Sequence, residues 1–247
     1  MDKLVYTAAA GLKSHMRAQA AIANNIANAS TTGFRADRVN FERMIVKGPG
    51  FDSRTIASEE VIDADRRSGV IMQTGRPLDV AITGDAWLAV QARDGSEAYT
   101  RRGDLTVAPS GVLETGDGFP VMGSGGPITV PPADKLMIAA DGTVSIVPQG
   151  GDPNQPQELD RLKLVSTKGT DTKKGLDNLL HVAGGGALPQ DLDATVQASA
   201  LEGSNVNLTQ ALVDMIENQR SYEIQANLMK EAKDMDTSSA SLMRLPG

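Results

Sequence analysis

The side chains that most often perform chemistry are few and isolated in this sequence. The chain has two histidines, His15 and His181, and no cysteine, which excludes disulfides, thiolate metal sites and a cysteine nucleophile. His15 interrupts an apolar helical stripe, so we interpret it as a packed or solvated histidine rather than as a metal ligand. Aspartate and glutamate are plentiful, but no spacing indicates an acid–base pair.

Two short patterns resemble ligand-binding loops without completing them. Asp63 and Asp65 match the start of a calcium loop, but the glycine and the closing glutamate are missing. The glycine-rich stretch at 123–126 has the composition of a phosphate cradle, although a loop between strands is the commoner use. Because HExxH, GxSxG, P-loop and dinucleotide motifs are also missing, we predict a protein that is not an enzyme. We expect it to have no catalytic residue, cofactor, metal site or small-molecule substrate.

Charge and hydropathy exclude two further classes of partner. The chain has 24 basic and 31 acidic residues, a net charge of −7, and its basic residues occur as scattered pairs such as Arg101-Arg102. A nucleic-acid binder needs a positive face, so we expect no nucleic acid partner. No apolar run approaches the ~18 residues of a membrane span, so we expect no membrane insertion. The run from Leu4 to Leu12 imitates a signal peptide, but Asp2 precedes it and the helical pattern continues beyond it, so we expect no cleavage.

Helix-breaking residues divide the chain into three parts. All but three of the glycines and prolines lie between Gly33 and Gly203. The two ends are therefore predicted to be helical, whereas the middle is crowded with turn formers.

Both ends carry narrow apolar stripes with helical spacing. The first runs from Leu4 to Ala29, and the second is predicted to begin at an N-cap at Ser204-Asn205 and to extend as far as Leu245. Such alanine-rich stripes bury too little apolar surface to offset the entropy of ordering a long helix, so each helix needs partners. We predict an intrachain helix pair in which one set of side chains packs against another: Leu12, Ile22 and Ile26 against Leu212, Met215 and Tyr222.

The middle of the chain has the pattern of short strands joined by tight turns. Apolar runs such as those at 78–82 and 87–91 are bounded by Asp-Gly pairs, which are a strong hairpin signal. We expect roughly eight to ten strands arranged as a sandwich or an irregular barrel. The predicted fold class is therefore mixed α and β, with a central and mainly antiparallel β domain.

Four longer motifs occur in a fixed order along the chain. They are NNIANASTTGFR at 24–35, TGRPLD at 74–79, YTRRG at 99–103 with GDGFPV at 116–121, and EGSNVN at 202–207 followed by QRSYE at 219–223. Together they resemble the signatures of bacterial flagellar rod and hook proteins. The opening MDKLVYTA and the ending LMRLPG are most similar to proximal-rod members of that family.

The resemblance implies a structural subunit of the proximal rod. Such a subunit polymerises helically through its terminal helices, which form a coiled-coil-like inner layer of the periplasm-spanning shaft that transmits motor torque. The resemblance also implies partners, namely copies of the chain, other flagellar rod proteins and the flagellar type III export apparatus. The location that it implies is the basal-body rod in the periplasm. A distal-rod or hook-type axial protein is the alternative, and a β-domain adhesin on a coiled-coil stalk is a remoter one.

Under this interpretation the chain has four parts. Residues 1–32 form the N-terminal helix, 33–75 an extended connecting segment, 76–203 the β-rich domain and 204–247 the C-terminal helix. Five polar residues beside the stripes are expected to contact neighbouring subunits: Asn24, Asn25, Asn28, Gln219 and Arg220. For the three asparagines, a fraying or capped helix end is the less favoured alternative. Three aromatic residues are expected to anchor the segment after the first helix: Phe34, Phe41 and Phe51.

Overall fold

The computed structural model describes residues 2–39, 42–45, 55–58, 62–152 and 154–242. Within these ranges the fold is mixed α and β, with one helix near each end and antiparallel sheets between them, as predicted. The predicted anchors Phe41 and Phe51 lie outside the described residues, as do residues 40–41, 46–54 and 59–61 of the predicted connecting segment. The elements, in chain order, are α1 (Asp2–Ala27), β1 (Asp37–Val39), β2 (Glu42–Ile45), β3 (Thr55–Ser58), β4 (Ile62–Ala64), β5 (Ile71–Gln73), β6 (Val80–Ile82), β7 (Ala86–Gln91), β8 (Glu97–Thr100), β9 (Leu105–Val107), β10 (Leu113–Thr115), β11 (Ala133–Ile138), β12 (Thr143–Pro148), β13 (Gln157–Arg161), β14 (Leu164–Ser166), β15 (Thr172–Lys174), β16 (Leu180–Val182), β17 (Val196–Ala198), β18 (Ala200–Glu202) and α2 (Leu208–Leu242).

The chain divides into two compact units. The helical unit comprises Met1–Ala27, Asp37–Ile62 and Asn207–Gly247, and the β unit comprises Asn28–Ala36 and Asp63–Val206. The β unit thus includes the short segments that immediately follow α1 and precede α2.

The two helices of the helical unit contact each other, and α2, with 35 residues, is the longer. The predicted N-cap at Ser204-Asn205 is wrong, because α2 begins at Leu208. The side chain of Asn207 instead caps it, since Asn207 Oδ1 accepts a hydrogen bond from the N–H of Gln210 at 3.1 Å. The side chain of Asn205 is unavailable for capping because it is bonded inside the β unit.

The β unit is built around a five-stranded antiparallel sheet with the order β14-β7-β8-β16-β15. Both of its faces are buried. Leu88 and Val90 of β7 lie on the face that packs into the larger core, whereas Trp87 and Ala89 lie on the opposite face in a second cluster with Tyr99. This alternation follows from the two-residue period of a strand. A three-stranded sheet, β11-β12-β13, extends the larger core.

The predicted tight turns are present. Gly95 and Gly142, the second residues of two Asp-Gly pairs, have φ of +84° and +86° and join β7 to β8 and β11 to β12. Glycine is favoured there because a Cβ makes that backbone conformation unfavourable. The described part of the chain between residues 76 and 203 contains more strands than the eight to ten expected, since many of them are ladders of only three residues.

Candidate functional site

A polar contact joins α1 to α2 inside the helical unit. The side-chain amide of Asn218 donates to the backbone carbonyl of His15 at 3.0 Å and to Oε1 of Gln19 at 2.8 Å. Its Oδ1 lies 2.8 Å from Nδ1 of His15. All three residues are half-buried. A polar group that is satisfied only in one alignment fixes the register of a helix pair.

Small residues lie at a close contact between the helices and at their most buried positions. A Cβ at Gly11 would overlap the side-chain amide of Gln225, so the absence of a side chain at Gly11 makes room for α2. Ala21 and Ala211 are buried, with 4% and 8% of their surface exposed. In the described part of the helical unit, Ala21 and Ala211 are the apolar residues that are buried. The larger apolar side chains there are less completely covered.

The six residues predicted to pair the helices differ in exposure. Leu12, Ile22, Ile26 and Met215 are half-buried, whereas Leu212 and Tyr222 keep 43% and 37% of their surface exposed. Mutual packing of these six side chains stays a prediction.

The asparagines at the end of α1 have partners within the chain. Asn24 Nδ2 donates to Oδ2 of Asp37 at 2.6 Å. Asn25 exchanges two hydrogen bonds with the backbone of Asp37, at 3.0 and 2.7 Å. Asn28 Oδ1 accepts from the hydroxyl of Thr31 at 3.1 Å. These bonds shape the turn after α1, and contacts of the same residues with neighbouring subunits stay a prediction.

Gln219 and Arg220, the other two residues expected to contact neighbours, are exposed on α2. Gln219 Nε2 lies 3.4 Å from Oε1 of Glu223, one turn along the same helix. Their role in subunit contacts also stays a prediction.

A buried charge cluster occupies the β unit at the end of β18. The carboxylate of Glu202 lies 2.8 Å from the guanidinium of Arg35 and 2.8 Å from that of Arg101. The side chains of all three residues are at most 4% exposed. Glu202 Oε1 also accepts the N–H of Gly69 at 2.7 Å. One carboxylate therefore holds together four separate stretches of the chain.

Backbone carbonyls and a second carboxylate complete the surroundings of the two arginines. Arg101 donates to the carbonyl of Ile82 at 2.9 Å and to that of Ala86. Burial lowers the pKa of Arg35, while the charges of Glu202 and Asp65 oppose that shift. Replacing the hydration shells of these ions by hydrogen bonds and opposite charges makes their burial possible.

Gly33 brings the segment after α1 against this cluster. Its N–H donates to the carbonyl of Glu202 at 2.7 Å, and its φ is +67°. A Cβ at this position would overlap the backbone of Arg101 and Arg102. Glycine is therefore required both for the conformation and for the close approach.

Asn205 ties the segment before α2 to the same region. Its Oδ1 accepts the N–H of Ala36 at 2.7 Å, and its Nδ2 donates to the carbonyls of Asp65 at 3.0 Å and Arg67 at 2.8 Å. Phe34 is 5% exposed, and the ammonium of Lys174 lies 3.8 Å from its ring centroid. Phe34 is thus anchored in the β unit by packing and by a cation–π contact.

The other sequence motifs meet in a second, shallower cluster. Arg102 forms ion pairs with Asp104 at 2.7 Å and Asp117 at 2.6 Å. The buried Asp79, the last residue of the TGRPLD motif, lies 3.5 Å from Arg76. The guanidinium of Arg76 also donates to the carbonyl of Leu105 at 3.2 Å. These contacts hold the turn that precedes β6.

The roles of Glu202, Arg101 and Asn205 were not predicted from the sequence. Each residue lies in one of the four ordered motifs, and the opposite charges of Arg101 and Glu202 in motifs far apart in sequence were the available signal. Neither helix that the structure describes has an apolar stretch sufficient to cross a membrane. Within the described ranges, His, Asp and Glu side chains form no group of three suited to holding a metal ion.

Comparisons with known proteins match all three regions that carry these contacts. The family model described as "Flagella basal body rod protein" matches residues 5–35, the "Flagellar hook protein FlgE/F/G D1 domain" matches 81–146, and the "Flagellar basal body rod FlgEFG protein C-terminal" matches 197–242. The chain is 39% identical to the flagellar basal-body rod protein FlgF of Salmonella typhimurium, over 99% of this chain and 100% of that protein. It is 40% identical to FlgF of Escherichia coli, over 95% of each chain. The chain belongs to the FlgF-like flagellar basal-body rod proteins.

The basal-body rod protein FlgG of Bacillus subtilis is also similar, but at a lower identity of 31%, over 95% of this chain and 97% of that protein. FlgF-like membership makes the chain a structural component of the basal-body rod and not an enzyme. The prediction of a rod subunit is confirmed, and the adhesin alternative is set aside.

The buried charge cluster draws one residue from each of the three matched regions. Arg35 closes the first, Arg101 lies in the second and Glu202 in the third. The cluster therefore joins segments that are remote in sequence, and it does so within the β unit.

Proposed function

We propose that this chain is a subunit of the proximal rod and polymerises helically through its terminal helices. In this proposal α1 and α2 form a coiled-coil-like inner layer of the rod, and the rod is the periplasm-spanning shaft that transmits motor torque. The full-length similarity to FlgF proteins supports the proximal position against the distal-rod alternative.

The exposed apolar surface of α2 is the observation that carries the proposal. Val213 and Tyr222 are 44% and 37% exposed. They lie nine residues apart, so at ~100° per residue they point to opposite sides of the helix. Further along α2, Ile224 and Leu228 are more than half exposed. Because a single partner helix covers only one side, the remaining apolar surface requires contacts with other subunits.

The proposed partners are copies of this chain and other flagellar rod proteins. Gln219 and Arg220 lie on the exposed surface of α2, where such neighbours would contact it. In the same proposal Asn24, Asn25 and Asn28 face lateral neighbours in addition to bonding within the chain.

We also propose that the chain reaches the periplasm through the flagellar type III export apparatus and keeps α1 in the assembled subunit. The bonds of His15 and Gln19 to Asn218 support this, because α1 contributes to the contact with α2. Mass spectrometry of the subunit from purified basal bodies tests whether the residues of α1 are retained.

Replacing Ile22 by proline tests the role of the helices. Proline within α1 removes a backbone hydrogen bond and costs about 3 kcal/mol or more. We expect swimming in soft agar to be lost and the subunit to be missing from purified basal bodies. The single tryptophan, Trp87, is buried in the β unit, so its fluorescence during urea unfolding reports whether that unit stays intact.

The matched control is Ile22→Leu, which keeps an apolar helix former at the same position and should assemble normally. Normal swimming by the Ile22→Pro strain would show that the helical-polymer mechanism is wrong. A shifted Trp87 transition would show that the two units do not unfold separately.

A further inference from the structure

Two short segments of the β unit pair with each other: residues 33–36, which follow α1, and residues 202–205, which precede α2. The N–H of Gly33 donates to the carbonyl of Glu202 at 2.7 Å, and the N–H of Asn205 donates to the carbonyl of the residue after Gly33 at 3.3 Å. We call these two paired segments the collar. The collar joins the stretches of chain that lead into the two helices.

Buried contacts hold the collar closed. Arg35 and Glu202 form an ion pair at 2.8 Å, and their side chains are 4% and 1% exposed. The N–H of Ala36 donates to Oδ1 of Asn205 at 2.7 Å. Breaking such contacts is costly, because a buried group that loses its partner is poorly solvated. We therefore expect the collar to open only when the β unit unfolds.

Each helix lies a few residues from the collar. Ala27, the last residue of α1, precedes Gly33 by six positions, and Leu208, the first residue of α2, follows Glu202 by six. Along the chain the two helix ends are joined by about 180 residues, whereas the path through the collar has about 12. The entropy lost on closing a flexible loop rises as about (3/2)R ln n, so the shorter path favours helix pairing about 60-fold.

The described contact between the helices is modest. The apolar residues buried in the described part of the helical unit are Ala21 and Ala211, whose side chains are single methyl groups. The polar contact described above is made by the half-buried amide of Asn218. Little apolar area is therefore available to offset the entropy of closing a loop of about 180 residues.

We propose that the collar presents α1 and α2 to each other, so that pairing of the two helices depends on closure of the β unit. Residues 33–36 and 202–205 are thus positioning residues for the helix pair. The pair itself is marginal in the isolated chain, so disrupting a helix disturbs the β unit little. This goes beyond the proposed function, because it concerns a single chain and requires no neighbouring copy.

Disulfide trapping of the helix pair tests the proposal, because the natural chain has no cysteine. Gly11 and Gln225 face each other across the pair, since a Cβ at Gly11 would overlap the amide of Gln225. The double variant Gly11→Cys/Gln225→Cys puts one sulfur on each helix and removes that overlap. The rate of intrachain disulfide formation in dilute purified chain, followed by non-reducing gel mobility, then reports how often the helices meet.

Lengthening the path through the collar should slow the trapping. A flexible insert of about 24 Gly-Ser residues between Val206 and Asn207 triples that path, so the rate should fall about fivefold. The matched control carries the same insert in the exposed glycine loop at 184–186, outside the path. Trp87 fluorescence shows whether the β unit stays folded in both chains. Equal rates for the two insertions would overturn the proposal, as would a parent rate no faster than that of the chain unfolded in urea.

Unfolding the β unit should slow the trapping further. Glu202→Gln removes the charge that compensates two buried guanidinium groups, so it lowers the urea midpoint of the β unit. The control is Asp85→Asn, which alters an exposed ion pair. At a urea concentration between the two midpoints we expect trapping to be about 60-fold slower in Glu202→Gln than in the control. Similar rates, with Trp87 reporting an unfolded β unit only in Glu202→Gln, would show that the helices pair without the collar.

Discussion

The carboxylate of Glu202 accepts hydrogen bonds from two buried guanidinium groups and from the backbone of Gly69. Removing one partner of a buried ion pair leaves the other charge without compensation in a medium that solvates it poorly. At the residue scale the β unit therefore depends on Glu202 more than on any exposed ion pair. The Lys168–Asp85 pair, at 3.0 Å, shows the contrast, since both of its side chains are more than half exposed.

Glu202→Gln should destabilise the β unit by about 3–5 kcal/mol, because the amide keeps the size of the side chain but not its charge. The control Asp85→Asn should change stability by less than about 1 kcal/mol, as exposed pairs contribute little. Urea unfolding followed by Trp87 fluorescence measures both. Similar midpoints for the two variants would show that the buried cluster is not a major source of stability.

Gly33→Ala should be far more damaging than Gly75→Ala. Both glycines have positive φ, +67° and +76°, so each alanine pays about 1–2 kcal/mol of backbone strain. At Gly75 a Cβ meets nothing within 4 Å, whereas at Gly33 it overlaps the backbone of Arg101 and Arg102. We expect a loss of about 4 kcal/mol or more for Gly33→Ala, since the backbone itself must move. Urea unfolding followed by Trp87 fluorescence measures the stability of both variants. Equal losses of stability would contradict the close approach of Gly33 to the backbone of Arg101 and Arg102.

At the scale of elements, the start of α2 shows two asparagines with different tasks. Asn207 caps the helix, while Asn205, two residues earlier, bonds to Ala36, Asp65 and Arg67 in the β unit. The sequence predicts the cap at Ser204-Asn205 and not at Asn207. Nothing local reveals that Asn205 is engaged elsewhere, because its partners are about 140 to 170 residues away.

Asn207→Ala should lower the stability of α2 by about 1 kcal/mol and reduce the helical circular dichroism of the isolated chain. Asn205→Ala should instead shift the Trp87 unfolding transition, because it removes three hydrogen bonds of the β unit. Circular dichroism and Trp87 fluorescence are measured on both variants, so that each variant is the control for the other. If Asn205→Ala reduced helicity and left the Trp87 transition unchanged, our assignment of the cap would be wrong.

Local patterns predicted several elements well. The long breaker-free ends are the helices, and the Asp-Gly pairs form the turns between β7 and β8 and between β11 and β12. The pairing of β5 with β18 was not predictable in this way, since its partners are about 130 residues apart. Long-range pairing depends on the packing of the whole unit and leaves little trace in a local pattern.

At the scale of the whole molecule, the chain combines a helical unit with uncovered apolar surface and a β unit with its own core. The β unit buries two apolar clusters, whereas α2 leaves several large apolar side chains exposed. Rod membership follows from the similarity of the whole chain, whereas the contacts between copies are proposals.

The sequence by itself determined the two terminal helices, the turn-rich β region between them and the family, because these depend on local periodicity, on glycine and proline placement and on contiguous motifs. Only the tertiary structure showed that Arg35, Arg101 and Glu202 form one buried cluster and that Asn205 is not a helix cap. Those features depend on residues 66 to 169 positions apart. A charge or an amide has many possible partners along a sequence, and folding selects among them by burial and hydrogen-bond geometry.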